Sequence, residues 1–310
     1  MYNVPILYIV FNRLDTVRKT FEAIKAIQPK DLYIASDGAR KEKEGEEKKV
    51  QEVRNYILEG INWDCNIHTF FRDKNVGCKY GPADAIKWFF NNVEQGVVLE
   101  DDILATKSFF KYCELLLDKY KDSDNIGYIC GCTMENCVTV KKDYFLTTII
   151  DGWGWASWAH VIKDFNPDYA SLQKKDINDI DTIIINKKVK KTLLNLSLIS
   201  ANNELDAWDY QMADYMAVHG RYTVFPRKPL VRNVGFIQDS THTNMAPEWY
   251  TDKSYELDIV LYDNPLLDKK YTKKYEASFI YKRSWFSYFY ALRKYGIIGC
   301  VKKLLSVSFK

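Results

Sequence analysis

No run of roughly 18 consecutive apolar residues occurs in this chain, so no helical membrane span is expected. Met1 leads almost directly into a β-rich segment, without a basic stretch and a long apolar core behind it, and no secretory signal peptide is expected. A large excess of charge is also missing. The formal net charge is +3 over 310 residues, which argues against a general nucleic-acid binder. Paired metal-finger spacing is absent from the seven cysteines, Cys65, Cys78, Cys113, Cys130, Cys132, Cys137 and Cys300. The Cys130, Cys132 and Cys137 group has no evident fourth ligand, so buried free thiols in a reducing, cytoplasmic setting are the expectation. There is no internal repeat and no long Pro/Gly/Ser linker.

What is present begins with an abrupt junction. Val97, Val98 and Leu99 form an apolar, strand-like run that ends in Glu100, Asp101 and Asp102. Three adjacent anions at the mouth of a core repel one another, and a divalent cation removes that cost. Oxygen-rich sites of this kind suit Mg2+ or Mn2+, which also hold phosphate oxygens. In open α/β sheets, ligands bind at the carboxyl ends of strands. The plainer reading places the acids in the first turn of a helix over Ile103 to Tyr120, where negative charge is favourable. That explains one acid easily and three poorly.

Strand and helix alternate through the first hundred residues. Pro5 to Phe11, Leu32 to Ala35 and Ile67 to Phe71 read as strands. Asp15 is expected to cap a helix that places Val17, Phe21, Ile24 and Ile27 on one face. A charged loop from Lys41 to Lys49, a helix to about Leu58 and a helix near Pro82 to Val93 complete the pattern. This predicts an α/β fold with a mostly parallel central sheet and helices on both faces. After Tyr120 the rhythm changes. Ile126 to Cys130, Tyr144 to Ile150, Tyr222 to Val224 and Pro229 to Val231 read as strands, 171 to 205 as helices with loops, and Asn233 to Asn244 as a loop. Residues 1–105 are expected to form a nucleotide-binding half and 106–275 an acceptor-facing half of one domain.

Two further strand ends are polar, at Asn12-Arg13 and at Ser36-Asp37-Gly38. An arginine can hold phosphate or a base carbonyl, and an aspartate can accept from a base N–H or a ribose hydroxyl. Read singly, Arg13 could be a surface residue and Asp37-Gly38 a turn. The loop Asn75-Val-Gly-Cys-Lys79-Tyr-Gly-Pro82 could present backbone N–H groups and Lys79 to phosphates. In Gly152-Trp153-Gly154-Trp155-Ala-Ser-Trp158, indole faces could stack on sugar rings; core packing is the equal alternative for each tryptophan. Asp206 and Asp209 stand at i and i+3 around Trp208, on one face if helical, and a carboxylate beside a tryptophan in a cleft is a reasonable general base. Among four histidines, His242 in Asp239-Ser-Thr-His-Thr has the polar loop setting of a metal or diphosphate ligand.

Taken in order, Asn75-Val-Gly-Cys-Lys, Trp88-Phe-Phe with Gly96-Val-Val-Leu-Glu-Asp-Asp102, Gly152-Trp-Gly-Trp155 and Ala207-Trp-Asp-Tyr-Gln211 resemble nucleotide-sugar glycosyltransferases of the GT-A fold. The nearer likeness is to bacterial surface-polysaccharide transferases, as for lipopolysaccharide or capsule. The more distant one is to animal N-acetylglucosaminyltransferase I, which initiates complex N-glycans. The resemblance spans about residues 4–245. It implies that Arg13 and Asp37 contact the nucleotide, with Asp37 near the base, and that Glu100 and Asp101 lie along ribose and sugar. Asp102 takes the metal-ligand role of an Asp-X-Asp motif, written here Glu-Asp-Asp, with Mn2+ or Mg2+ as cofactor. Asp209 falls where such enzymes keep their base; Tyr210 replaces the second acid of the animal enzyme, and Asp206 is the reserve. The implied reaction transfers a hexosyl or N-acetylhexosaminyl group, with inversion, from a nucleotide-sugar donor, UDP favoured, to a glycan or lipid-linked glycan acceptor.

The tail from 276 reads separately. Tyr281 to Lys310 carries seven Lys or Arg and no acid, so the +3 of the whole chain leaves −4 for the first 280 residues. Trp285, Phe286, Tyr288, Phe289, Tyr290 and Tyr295 stand among those charges, as in segments that settle on anionic lipid. A peripheral position on the inner face of the plasma membrane is therefore expected; a terminal helix packed on the domain is the plainer reading. Two rivals remain. A sugar nucleotidyltransferase would want a richer Gly/Arg/Lys loop than Phe11-Asn-Arg-Leu14, and an inactive glycan-binding scaffold would not need Asp102 and Asp209.

Overall fold

The computed structural model describes residues 1–173, 175–184, 186–235 and 252–276. His242 and the basic segment 281–310 lie outside these residues. β1 (Ile6–Val10), β2 (Asp31–Ser36), β3 (Asn66–Phe71) and β4 (Gln95–Glu100) alternate with α1 (Leu14–Ile27), α2 (Glu46–Gly60) and α3 (Gly77–Phe90). Then follow β5 (Ile103–Ala105), α4 (Lys107–Tyr120), β6 (Ile126–Cys130), β7 (Tyr144–Thr147) and β8 (Trp155–Trp158). The last elements with assigned bounds are α5 (Ala159–Ile162), α6 (Lys187–Ala201), α7 (Asp209–Val218), β9 (Tyr222–Pro226) and β10 (Val231–Asn233).

Eight strands form one sheet in the order β3-β2-β1-β4-β8-β6-β9-β7. β1 pairs in parallel with β2 on one side and β4 on the other, bringing Ile6 beside Leu32 and Val97. Only β7 and β8 run against the rest. α1 meets α2 and α4, whereas α3 meets α5 and crosses β1, β2 and β4, so helices cover both faces. The expected mostly parallel α/β sheet is therefore present. Continuous apolar strands such as β1 and β4 suit a sheet covered on both faces. Fully buried Trp155, Tyr128 and Tyr8 fill its interior. All six described cysteines are free thiols, with Cys113, Cys130 and Cys132 buried.

Local differences from the sequence reading have identifiable causes. Ile103–Ala105 is a strand because it pairs antiparallel with β10, a partner more than 120 residues away that local periodicity cannot reveal. The helix behind it starts at Lys107 and is capped by Thr106, whose side chain accepts from Phe109 N at 3.2 Å. Glu100, Asp101 and Asp102 thus do not cap that helix. Arg13, not Asp15, holds the N-cap position of α1; Asp15 lies in its first turn, where its charge suits the dipole. α3 begins at Gly77, five residues ahead of Pro82, because remote carboxylates satisfy its first N–H groups. β8 was unforeseen: its four residues are all buried between β4 and β6, so the alternation of a half-exposed strand is missing. In the charged 41–49 loop, Glu46 turns inward to accept from Asn12 at 2.9 Å and from Arg40 N at 2.7 Å.

Gly96 tests the tightness of the sheet–α3 contact. A Cβ there would overlap the Phe89 ring and approach Pro5 O at 3.1 Å. Phe89 is itself fully buried against Tyr33 and Phe90, with ring centroids at 5.0 Å in both cases, and has nowhere to move. Gly96→Ala should lower unfolding stability by about 1–3 kcal/mol, measured as a reduced urea midpoint at unchanged slope.

Candidate functional site

The carboxyl ends of β1, β2 and β4 and the chain entering β8 converge on one edge of the sheet. Arg13 follows β1, and its Nη2 pairs with Asp101 Oδ1 and, at 3.1 Å, with Asp102 Oδ2. Asp101 is 3% exposed and takes a further bond from Phe11 N at 3.2 Å. Its carbonyl accepts from Thr20 Oγ1 at 3.0 Å, and Thr20 bonds Tyr8 at 2.6 Å. Asp101 is thereby built into the base of the site.

Asp102 sits between two sheets, with β4 before it and β5 after it. Its carbonyl accepts from Val234 N at 2.8 Å. Among the described residues no donor reaches its Oδ1, which is buried. The chain after β10 passes so close that a Cβ at Gly235 would lie 2.6 Å from Asp102 Oδ2, so only glycine fits there. A buried carboxylate oxygen without a donor suits a cation. No group of three or more His, Cys, Asp or Glu arranged to hold a metal occurs among the described residues.

Glu100 stands at the exit of β4. Burial, then the charges of Asp102 and Asp101, push its carboxyl up to about 8; Arg13 opposes this and Asp209 adds to it. Burial also raises Asp102, against the pull of Arg13. Burial disfavours the charge on Arg13, but Asp101 and Asp102 outweigh it and hold the guanidinium above its ordinary range.

Asp209 opens α7, and its charge is felt at both Glu100 and Asp151. Asp151 was not singled out in the sequence. It accepts from Trp153 N at 3.0 Å and from Tyr275 OH at 2.9 Å, and burial raises its carboxyl. The available signal was an acid directly after the apolar run ending at Ile150, the same pattern as at Glu100. Gly152 brings this segment against Trp208: a Cβ on it would lie 3.6 Å from the indole. The Gly-Trp-Gly-Trp and Trp-Asp motifs therefore meet in space.

Other expected ligand groups have structural employment. Asp37 follows β2, but its carboxylate accepts from Gly38 N at 2.9 Å, Val76 N at 3.0 Å and Gly77 N at 3.1 Å. Asp206 lies ahead of α7 rather than within it, and accepts from Cys78 N at 3.0 Å and Lys79 N at 2.7 Å. These two acids fill the anion site at the start of α3 that was expected to face phosphates. Gly77, at φ +84°, makes the turn; a Cβ there would lie 2.8 Å from Asp206. Lys79 turns away from the acid cluster. It is 2% exposed, and its Nζ donates to Asp168 at 2.7 Å, Asn203 at 2.7 Å and Ala201 O at 3.1 Å.

Trp155 is likewise a core residue, fully buried with Tyr128 stacked on it at 4.7 Å and 17°. Insertion of β8 between β4 and β6 puts it there. Gly154 has φ +64° and is buried, its O accepting from Gly131 N at 2.8 Å. Trp153 is partly exposed at the same edge. Cys78 also borders the site, and burial with the charges of Asp206, Glu100 and Asp37 pushes its thiol up to about 12, so it stays protonated and is a poor nucleophile.

No protein-family model and no curated protein matches the chain. Solved structures do. The structure of GalNAc-T7 with UDP, GalNAc and Mn2+ aligns over 74% of this chain and 43% of its own, at TM-score 0.44 and 9% identity. UDP-glucose pyrophosphorylase complexed with UDP-glucose aligns over 72% of this chain and 89% of its own, at TM-score 0.40 and 10% identity. Mouse xyloside xylosyltransferase 1, in its apo form, aligns over 70% and 81%, at TM-score 0.35 and 8% identity. At such scores the chemistry has to be read from the chain's own residues.

The Glu100 carboxyl binds its proton more tightly folded than unfolded. Its contribution to stability is therefore full below the unfolded value near 4.5 and is lost as pH rises through about 8. Glu100→Gln should leave stability at pH 5 nearly unchanged and raise it relative to the parent at pH 9 by about 1–4 kcal/mol. Urea midpoints at the two pH values measure this; an equal effect at both would refute the burial of charge at Glu100.

Proposed function

We propose that this protein is an inverting, metal-dependent glycosyltransferase that uses a nucleotide-diphosphate sugar, with UDP as the leading nucleotide. The observation that carries the reading is Asp102, a carboxylate with one buried oxygen that no donor among the described residues reaches, set at a strand exit beside Arg13 and Glu100. Asp102 would hold Mn2+ or Mg2+, with His242 as a second candidate ligand. When bound, the ion supplies positive charge that stabilises the leaving diphosphate.

The chain's own groups have complementary roles. Arg13, already braced by Asp101, can turn one edge of its guanidinium to a phosphate oxygen. Glu100 takes up a proton near neutrality and can then donate to a donor-sugar or ribose oxygen. Asp209 removes the proton of the acceptor hydroxyl as that oxygen attacks the anomeric carbon. With no separate nucleophile in this scheme, the displacement inverts the anomeric configuration. Asp151, held by Trp153 N and Tyr275, feels the charge of Asp209 and belongs to the same cluster of acids. A glycan on a lipid carrier is the acceptor that best suits the basic aromatic segment 281–310, through which the enzyme would sit on the inner leaflet of the bacterial plasma membrane during surface-polysaccharide assembly.

The decisive test is a thermal-shift panel of UDP, GDP, dTDP and CMP, each with and without Mn2+. At one hundred times Kd, one nucleotide with metal should raise Tm by about 5 °C. Asp102→Ala should abolish that shift. Asp209→Asn should keep it while reducing transfer to acceptor by about 10²–10⁴-fold. No shift with any nucleotide would move the glycan-binding scaffold ahead of the transferase.

A further inference from the structure

Residues 269–276 are helical and divide cleanly by face. Tyr271, Thr272, Tyr275 and Glu276 point inward; Lys269, Lys270, Lys273 and Lys274 are all exposed. At 100° per residue these four lysines occupy one continuous half of the helix. None forms an ion pair with a described acid. Two of the acids nearby are otherwise engaged: Asp268 is buried and accepts from Thr139 N at 2.8 Å and Tyr271 N at 2.9 Å, and exposed Asp263 pairs with Lys119 at 3.2 Å; Asp258 is exposed two residues before Val260.

Immediately before the helix, Val260, Leu261 and Leu266 are 56%, 41% and 53% exposed. They are held in place rather than hanging free. Val260 N donates to Asp143 at 3.1 Å, Tyr262 N to Tyr144 OH at 2.7 Å, and Leu146 N to Leu266 O at 2.8 Å. The segment thus lies along the outer edge of β7, and three aliphatic side chains are presented to solvent in the stretch of chain that leads into the lysine-bearing helix.

We propose that this face, Lys269, Lys270, Lys273 and Lys274 with Val260, Leu261 and Leu266, docks on an anionic lipid bilayer. The charge fits acidic headgroups and the aliphatic groups fit the acyl boundary beneath them. A soluble polyanion would use the lysines and leave the aliphatic groups unsatisfied. Position gives the docking a purpose that rests on the glycosyl-transfer reading: the inward face of the same helix reaches the site. Tyr275 OH bonds Asp151 at 2.9 Å, Thr272 bonds Thr147 at 3.0 Å, and Tyr271 OH bonds Thr133 at 3.2 Å. The thickness of one helix therefore separates the lysine face from Asp151, which feels the charge of Asp209, and this suits an acceptor whose lipid stays in the membrane.

The test uses the full chain in flotation with vesicles of phosphatidylcholine alone or mixed with phosphatidylglycerol. The protein should float only with the anionic vesicles. Each lysine near such a surface is worth about fivefold in partitioning, so the variant K269Q/K270Q/K273Q/K274Q should bind at least about a hundredfold more weakly. L261S/L266S should lose about tenfold. Both variants should keep the nucleotide thermal shift, which reports folding and the donor site. Parent-like flotation of the lysine variant overturns the proposal. So does undiminished binding of L261S/L266S together with full competition by soluble heparin, which would mark a polyanion site. If the fourfold variant does not fold, the pair K270Q/K274Q is read instead, with about a twentyfold loss expected. Lysine-dependent flotation in a protein with no nucleotide shift would retain the docking face and remove the transferase reading.

Discussion

Arg13 neutralises the two aspartates that β4 delivers side by side at its exit. Without that guanidinium, Asp101 would be a nearly buried anion bonded to one backbone N–H, next to Asp102 with one oxygen that no donor among the described residues reaches. Uncompensated charges at such burial cost several kcal/mol each. Because Asp101 O also anchors Thr20 of α1, and Thr20 anchors Tyr8 of β1, the charged cluster is continuous with the packing of the first βαβ unit. The site is consequently rigid at Asp101 and adaptable at Asp102, whose Oδ1 no donor among the described residues reaches.

A second set of carboxylates joins the early and late parts of the chain. Asp37 from the end of β2 and Asp206 from ahead of α7 share the first N–H groups of α3, while Lys79 one turn on binds Asp168, Ala201 O and Asn203. Asp209 opens α7 three residues after Asp206, so this hub ties the start of α7 to the start of α3. The same geometry explains why the start of α3 is unsuited to a phosphate: its positive end is already occupied by two anions of the chain itself.

Much of the parallel half was legible because β1, β2 and β4 are apolar runs that break at polar residues, and buried parallel strands have that signature. The acid junction at Glu100 was legible for the same reason, since a core strand cannot continue through three anions. β8 and β5 were not. Each is short, wholly or mostly buried, and defined by a partner far along the chain, so neither period two nor period 3.6 marks it. That Lys79 and Trp155 turn inward was not legible, because composition cannot say which way a side chain turns; burial of an entire lysine needs the carboxylate of Asp168, 89 residues away. Asp151 sits, like Glu100, just beyond an apolar run, but its place at the site depends on Tyr275, 124 residues away, which local sequence does not reveal.

The electrostatics of the assembled edge limit what it can bind. Glu100 feels the charges of Asp102, Asp101 and Asp209, Asp151 feels that of Asp209, and Arg13 pairs with Asp101 and Asp102. A nucleoside diphosphate brings further negative charge and would be repelled by such a cluster. Two changes could reconcile them. Arg13 could leave the aspartates for the phosphates, but that would expose two anions to each other at high cost. A divalent cation held by Asp102 would lower both repulsions and let Arg13 remain where the fold requires it. If the ligand is a nucleotide, the carboxylates therefore favour its arrival with a metal, and the donorless Asp102 oxygen is where that charge is needed most.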